Sequence, residues 1–536
     1  MIAFLNRQPA FLLVAVSLLI GLAWYGLGLP KTMPRSPLGA DGKLPCVSYA
    51  PFRGNQSPLD PGFVVPPEQI DADLERLSAV TSCVRTYAVE KGIDRVPESA
   101  RKHGLKVLQG IWIGRDPVRN QQEIETAVAL AREYPDVIRG LVVGNEVLLR
   151  GELRAIDLRD LIQEVKRQVD VPVTYADVWE FWLRNRDLVP AVDFVTIHIL
   201  PYWEDFPVGA SQAAAHVETI RKQVAAAFPD KEILIGETGW PSAGRMRESA
   251  LPSLSNEAKV LHEILAVAKR NNYQVNVIEA FDQPWKRQLE GTVGGHWGLF
   301  DADRRERKFV WGEAVSDHPH WRIQAMLGIG AAALIFIGAW FAARKEPEVA
   351  RGPWLWVAGM ALVGGVFFGW SAEKAWLEGL GLGGNIRSWA MCAMALLAPA
   401  VAAVAMVRRL PIPRFAAVLG GAERTLAPLS RAVGLGLVVV CVLALQSAFS
   451  LVFDPRYRDF PFAFLTATAL PYMALALQVR STEIAGMAEK IAASVLALCV
   501  LYFVPNESFA NWQALWVAAM LLVLVIVLLR PRAARN

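Results

Sequence analysis

Eight short apolar runs, each broken by polar or glycine punctuation, recur in order along the first half of the chain. They are CVSYAPF (46–52), CVRTYAV (83–89), KVLQGIWI (106–113), IRGLVVGNEV (138–147), VPVTYADVW (171–179), DFVTIHILPYW (193–203), EILIGETGWPS (232–242) and YQVNVIEAFDQPW (273–285). Helical patterns such as PEQIDADLERLSAV and NQQEIETAVALAREY fill most of the gaps. Runs this continuously apolar predict parallel strands buried on both faces. Eight strand–helix units in roughly 270 residues predict an α/β fold of the (β/α)8 TIM-barrel type. A doubly wound open sheet is the alternative, but it would not naturally give eight units, and no GxGxxG follows the first run.

A barrel does its chemistry at the C-terminal ends of its strands, and polar residues gather there. The second run ends near Arg85 and Tyr87, the fourth on Asn145 and Glu146, and the fifth near Tyr175 and Asp177. The sixth carries His198, Tyr202 and Trp203; the seventh ends Glu237-Thr238-Gly239-Trp240; the eighth ends with Asp282, Trp285 and Lys286. Glu146 and Glu237 each interrupt an apolar run that would otherwise carry no charge into a sheet. A barrel brings those two ends to opposite walls of one mouth. Two carboxylates facing each other across a sugar are what glycosidic bond cleavage requires, about 5–5.5 Å apart where configuration is retained.

The rest of the chain is of another kind. Its hydrophobic fraction of 53% and charged fraction of 20% are too apolar for an ordinary soluble protein. Apolar segments near 10–29, 323–343, 354–370, 388–407, 432–453, 461–478, 491–505 and 512–529 are close to bilayer-spanning length. Three domains are therefore expected: an uncleaved N-terminal anchor (1–30), a catalytic domain (31–322) and an all-α membrane domain of about seven helices (323–536). Arg344, Lys345 and Arg351 share one loop; Arg408, Arg409, Arg414, Arg424 and Arg431 another; Arg480 and Lys490 a third; Arg530, Arg532 and Arg535 the tail. With eight spans all fall on the side of Arg7, which places both termini in the cytoplasm and the catalytic domain outside it. Glu373 and Lys374 sit at a span end, as interfacial anchors. The near-absence of charge within spans argues against an ion-coupled transporter.

The net charge of +4 gives no nucleic-acid footprint, so no nucleic acid is expected as a partner. Neither HExxH nor CxxC occurs, and no metal or cofactor is expected. Cys46 and Cys83 open neighbouring runs at similar registers and would lie within bridging range in an oxidising compartment; two buried thiols are the expectation. Cys392, Cys441 and Cys499 lie in spans and read as packing residues. Asp71-Ala-Asp73 and Asp301-Ala-Asp303 match a DxD pattern without a following QxxRW, and read as solvated charges.

GNE in the fourth run and GETGWPS in the seventh resemble glycoside hydrolase family 17, the β-1,3-glucanase family of retaining (β/α)8 enzymes. CVSYAPF, VRTYAV, GIWIGRD, HILPYW and HWGLFD are similar to family stretches in the same order, over about residues 44–312. The likeness is greatest to bacterial membrane-bound members linked to β-glucan synthesis. It implies Glu146 as acid/base and Glu237 as nucleophile, an order the residues alone leave open. Asn145 would bond the sugar 2-hydroxyl or the nucleophile, Tyr202 would orient Glu237, and Arg85 would brace it. Trp203, Trp240 and Trp285 offer faces for sugar rings or for core packing, and His198 reads as a satisfied barrel residue before a catalytic one. Tyr87, Tyr175, Asp282 and Lys286 complete the expected substrate-binding set. Plant members carry Phe-(Asp or Asn)-Glu at strand 8 with a lysine beyond. Here the lysine is Lys286 but the glutamate is Gln283, a departure that bears on the substrate subsites and on simple hydrolysis.

A covalent glycosyl-enzyme resolves onto water or onto a second sugar. Seven spans behind the catalytic domain are excessive for tethering a scavenging hydrolase. The expectation is a glucanosyltransferase of a bacterial inner membrane that remodels, branches or cyclises β-glucan in the periplasm. Its expected partners are the glucan, the lipid bilayer and a membrane glucan synthase. A β-1,3-glucanase is the alternative, and a non-catalytic glucan-binding accessory the second.

Overall fold

The computed structural model describes residues 8–344, 352–420, 426–479 and 485–530. The chain forms two compact units, Lys31–Val315, and Met1–Pro30 with Ser316–Asn536.

Lys31–Val315 holds eight parallel strands closed into a barrel: β1 (Val47–Ser48), β2 (Cys83–Arg85), β3 (Lys106–Ile111), β4 (Ile138–Asn145), β5 (Val173–Val178), β6 (Val195–His198), β7 (Ile233–Thr238) and β8 (Gln274–Val277). Closure comes through Val47 of β1, which pairs with both Val84 of β2 and Val277 of β8. Each expected apolar run contains its strand but outlasts it, because the last residues of the run leave the ladder for the barrel mouth. Helices fill the seven crossovers, from Pro67–Ser78 to Leu254–Asn271. Two begin on side-chain caps: Asp116 accepts from the backbone N–H of Val118 and Arg119, and Ser253 from that of Asn256.

Side chains alternate along each strand. One set, with Val47, Val84, Val107, Leu141, Val195 and Ile235, packs outward with the helices into the main core. Each such buried aliphatic side chain contributes about 1.5–3 kcal/mol. The alternate set, Cys46, Cys83, Leu108, Val142 and Ala176, forms a separate small cluster on the barrel axis. Cys46 and Cys83 are joined there by a disulfide, which corrects the expectation of two thiols. The register explains the bridge: Val47 pairs with Val84, so the preceding cysteines are direct neighbours with Cα atoms 4.3 Å apart. Asp73 is a second correction. It is not a solvated charge; it is buried, bonded by Arg53, Arg304 and the Tyr49 hydroxyl.

The barrel interior also holds buried polar groups. Asn276 Nδ2 donates to Ser48 Oγ and to the Gly236 carbonyl, both at 2.8 Å, and the Thr174 and Thr196 hydroxyls meet at 2.9 Å. Glycine is required at 236, where a Cβ would lie 2.3 Å from the Thr196 methyl carbon.

The second unit is helical. Among the described residues seven helices are long and apolar enough to cross a membrane: Gln8–Leu27, Trp321–Ala343, Pro353–Glu378, Gly381–Val407, Pro428–Phe453, Met487–Glu507 and Trp512–Leu529. The segment expected at 461–478 is the helix Phe462–Gln478, whose 17 residues sit at the short end of what a bilayer needs. Small residues let helices approach closely; a Cβ on Gly328 would lie 2.5 Å from the Gly365 carbonyl oxygen. Cys392, Cys441 and Cys499 are buried free thiols in this packing. Glu373 and Lys374 are paired, with His318 at 3.2 Å and Glu378 at 2.5 Å respectively. Arg7, Lys345, Arg351, Arg424, Arg480, Arg532 and Arg535, used above to orient the spans, lie outside the described residues.

Candidate active site

Two irregularities in the sheet aim the glutamates. Between β6 and β7 the pairing jumps from Ile197–Ile235 to His198–Glu237, skipping Gly236. Between β4 and β5 it jumps from Val142–Thr174 to Asn145–Ala176. Such slips re-aim side chains at strand ends. Glu146 itself takes a left-handed backbone with φ of 52°, an uncommon conformation for a residue with a side chain. Its N–H donates to the Ala176 carbonyl at 2.8 Å, and the turn beyond is held by Leu148 N–H donating to the Tyr175 hydroxyl at 3.0 Å.

The geometry around Glu237 is dense. Arg85 Nη1 donates to its Oε1 at 2.9 Å and to the Gly236 carbonyl at 2.8 Å, while Arg85 Nη2 donates to Asn145 Oδ1 at 2.6 Å. The Tyr87 hydroxyl lies 3.0 Å from the same Oε1 and 3.0 Å from Ser48 Oγ. His198 bridges the two carboxylates, with Nδ1 3.1 Å from Glu146 Oε1 and Nε2 3.6 Å from Glu237 Oε1. Burial alone would raise the Glu237 carboxyl, but the charges of His198, Arg85 and Lys286 and the Tyr87 hydrogen bond hold it below the usual range. Glu146 is the more open of the pair, with 24% of its side chain exposed against 6% for Glu237.

Glu146, His198 and Glu237 each offer one donor atom within 4.8 Å of the others. A cation there would compete with the permanent Arg85 guanidinium for Glu237 Oε1.

Several expected site residues serve elsewhere. The Tyr202 hydroxyl gives its one proton to the Arg245 carbonyl at 2.9 Å, so the tyrosine that orients Glu237 is Tyr87. Trp240 is fully buried, donating to the Leu251 carbonyl, and is a core residue and not a sugar platform. Tyr175 is buried and bonded to Asp177, whose carboxyl burial pushes up to about 6. Asp282 is fixed beneath the mouth by Lys308 Nζ at 2.6 Å and the Gly298 N–H at 2.9 Å. These four placements share a cause: strand-end polar side chains also satisfy the backbone of neighbouring loops. His198 is not a packing bystander. Trp203 and Trp285 remain half-buried; Trp203 stacks on Trp297, with ring planes 16° apart.

Two carboxylates escaped the sequence reading. Lys286 does not lack a partner for want of a glutamate at 283. It pairs with Glu279 at 3.0 Å, while Gln283 bonds the Ala50 carbonyl and the Trp285 indole. Burial raises Glu279 to about 6 against the pull of Lys286. Half-buried Glu290, raised by burial to about 7, adds its field to the same group of charges. Glu279 carries the signal used for Glu146, a carboxylate breaking an apolar run (QVNVIEAF).

Residues 46–298 match the family model of the BtgE/BtgC glycoside hydrolase domain. The glucan 1,3-beta-glucosidase BGL2 of Candida albicans is 26% identical over 256 residues, 44% of this chain and 83% of that protein. The glucan 1,3-beta-glucosidase of Saccharomyces cerevisiae is 27% identical over 254 residues, 43% and 81% respectively. Among solved structures, an active-site mutant of the Rhizomucor miehei beta-1,3-glucanosyltransferase in complex with laminaritriose is 28% identical, covers 51% of this chain and 98% of its own, and has a TM-score of 0.45. These relatives are fungal, so the resemblance to a bacterial membrane-bound type rests on the sequence motifs alone. The barrel is thus similar to the glycoside hydrolase domains of the BtgE/BtgC type and to glucan 1,3-beta-glucosidases.

Proposed function

We propose that the chain is a membrane-bound retaining enzyme acting on β-1,3-glucan, with Glu237 as nucleophile and Glu146 as acid/base. The observation that carries this is the asymmetry of the pair. Glu237 is buried and held ionised by Arg85, Tyr87 and His198, as a nucleophile must be. Glu146 stands across the mouth, more exposed, with oxygens of the two within 4.8 Å. That spacing supports direct attack and not attack through an intervening water. Arg85 and Tyr87 engage Oε1 of Glu237, so attack falls to Oε2. The anomeric carbon bonds to Oε2 as its bond to the leaving oxygen breaks, and Glu146 gives that oxygen its proton. Glu146 then takes a proton from the acceptor, which displaces Glu237.

The substrate class is supported by the names of the relatives, two glucan 1,3-beta-glucosidases and a beta-1,3-glucanosyltransferase. We assign transfer to a second sugar in preference to water because seven apolar helices follow the barrel, more than a tether needs. They suit work beside a membrane glucan synthase, on glucan as it emerges. The setting we infer is a bacterial inner membrane with the barrel in the periplasm. The Cys46–Cys83 disulfide supports an oxidising compartment, and the arginine-bearing loops support the opposite side for both termini.

Mass spectrometry of products from purified full-length protein and β-1,3-gluco-oligosaccharides tests this. Products longer than the substrate mean transfer, shorter ones alone mean hydrolysis, and unchanged oligosaccharide with folded protein means a binding module. Glu237→Gln should abolish turnover; full turnover in that variant would remove the nucleophile assignment.

A further inference from the structure

His198 stands between the two glutamates and has no part in the steps above. Its side chain is fully buried. The sheet fixes its place: it pairs with Val178 on β5 and with Glu237 on β7, and the next N–H, of Ile199, donates to the Glu237 carbonyl at 2.9 Å. The imidazole therefore cannot follow loop motion at the mouth.

An imidazole N–H can stand at either ring nitrogen, and at both when the ring carries a charge. At Nε2 it would face Glu237 Oε1 from 3.6 Å, beyond hydrogen-bond distance, and that oxygen already receives Arg85 and Tyr87. Among the described residues Nε2 has no hydrogen-bond partner. At Nδ1 the proton meets Glu146 Oε1 at 3.1 Å. The geometry points to His198 as a positioning residue: its Nδ1–H holds Oε1 of Glu146 and leaves Oε2–H to face the leaving oxygen. This rests on the retaining reading given above.

The consequence follows from charge. Before proton transfer Oε1 is the carbonyl oxygen of a neutral carboxyl, an ordinary acceptor. As the Oε2 proton passes to the leaving oxygen, Glu146 becomes a carboxylate and the same contact becomes charge-assisted. The bond strengthens as the reaction proceeds, so it lowers the barrier more than it aids substrate binding. No proton leaves His198 in this step. The anomeric carbon gains its bond to Glu237 and loses the one to the leaving oxygen, which departs with the Glu146 proton.

Dependence on the leaving group separates this role from a structural one. Full-length wild type, His198→Ala, His198→Gln and Glu146→Gln are compared on laminaripentaose, whose leaving sugar needs protonation, and on p-nitrophenyl β-laminaribioside, whose phenolate departs without it. For His198→Ala the expected kcat/KM falls about 10–100-fold on the oligosaccharide, chiefly in kcat, and less than about threefold on the aryl glycoside. Glu146→Gln gives the same pattern more strongly, and the amide N–H of His198→Gln restores part of the loss. Equal losses on both substrates, or no loss on either, would overturn the proposal. A wild type inert toward both substrates would instead remove the retaining-glucanase reading, and this proposal with it.

Discussion

Arg85 reaches from β2 across the barrel to bond Glu237 through Nη1 at 2.9 Å and Asn145 through Nη2 at 2.6 Å, so one guanidinium ties the end of β7 to the end of β4. Only 1% of the Arg85 side chain and 6% of that of Glu237 are exposed. Arg85→Met leaves a buried carboxylate without this partner, a loss of about 3–5 kcal/mol in stability. The sign with pH follows from the depressed Glu237 carboxyl. Such a group stabilises the fold above its unfolded value and loses that contribution as pH falls through its folded one. The Tm gap between wild type and variant should thus be widest near neutrality and close toward acid. The acidic limb of kcat/KM should move to higher pH. A limb that does not move would show that Arg85 does not set the charge of Glu237.

Tyr87 and Tyr202 provide a matched pair. Tyr87→Phe removes a donor 3.0 Å from Glu237 Oε1 and should cost about 10–100-fold in kcat/KM. Tyr202→Phe removes the bond to the Arg245 carbonyl and should cost about 1 kcal/mol in stability with little change in kcat/KM. Steady-state kinetics and thermal denaturation of both variants check the contrast; a larger kinetic loss in Tyr202→Phe would reverse the assignment.

The barrel was legible because eight buried parallel strands leave eight apolar runs, and the glutamates because a charge ending such a run stands out. What lay hidden was pairwise. Tyr87 and Tyr202 both sit past strand ends, and nothing local says which hydroxyl meets Glu237. The slip that skips Gly236 moves Glu237 onto the face where His198 lies, and a register slip has no mark in the local sequence. Glu279 carries the same mark, but the family pattern puts the strand-8 carboxylate at the position that Gln283 occupies. The disulfide needed the register of β1 against β2, which the spacing of two cysteines does not give.

Lys286 and Glu279 form a buried pair at 3.0 Å, with 16% and 1% of their side chains exposed. Lys286→Met strands the Glu279 carboxyl in a buried site, where its value rises above about 6. A loss of about 3–5 kcal/mol is expected. Adding Glu279→Gln removes the stranded charge and should recover much of that stability. Lys286 is also one of the charges that lower Glu237. Lys286→Met alone should therefore move the acidic limb to higher pH, and adding Glu279→Gln, which removes a carboxylate coupled to Glu237, should move it part of the way back. Denaturant unfolding and pH–rate profiles separate the two effects. A double variant no more stable than Lys286→Met would mean that the lysine stabilises by packing and not by charge.

The Cys46–Cys83 bridge joins residues 37 apart in sequence. Closing a loop of that size restricts the unfolded chain and is worth about 4 kcal/mol. Both sulfurs lie on the barrel axis among Leu108, Val142 and Ala176, away from the polar mouth. The double variant Cys46→Ser/Cys83→Ser should therefore lose stability without losing chemistry. Its Tm should fall by about 10 °C, with kcat/KM on β-1,3-gluco-oligosaccharides within about twofold of wild type at temperatures where both are folded. Reductant should lower the wild-type Tm toward that of the variant and leave the variant unmoved. Alkylation of both cysteines in native protein without reductant would show the thiols unpaired. A Tm unchanged by the double substitution would show that the bridge does not stabilise the barrel.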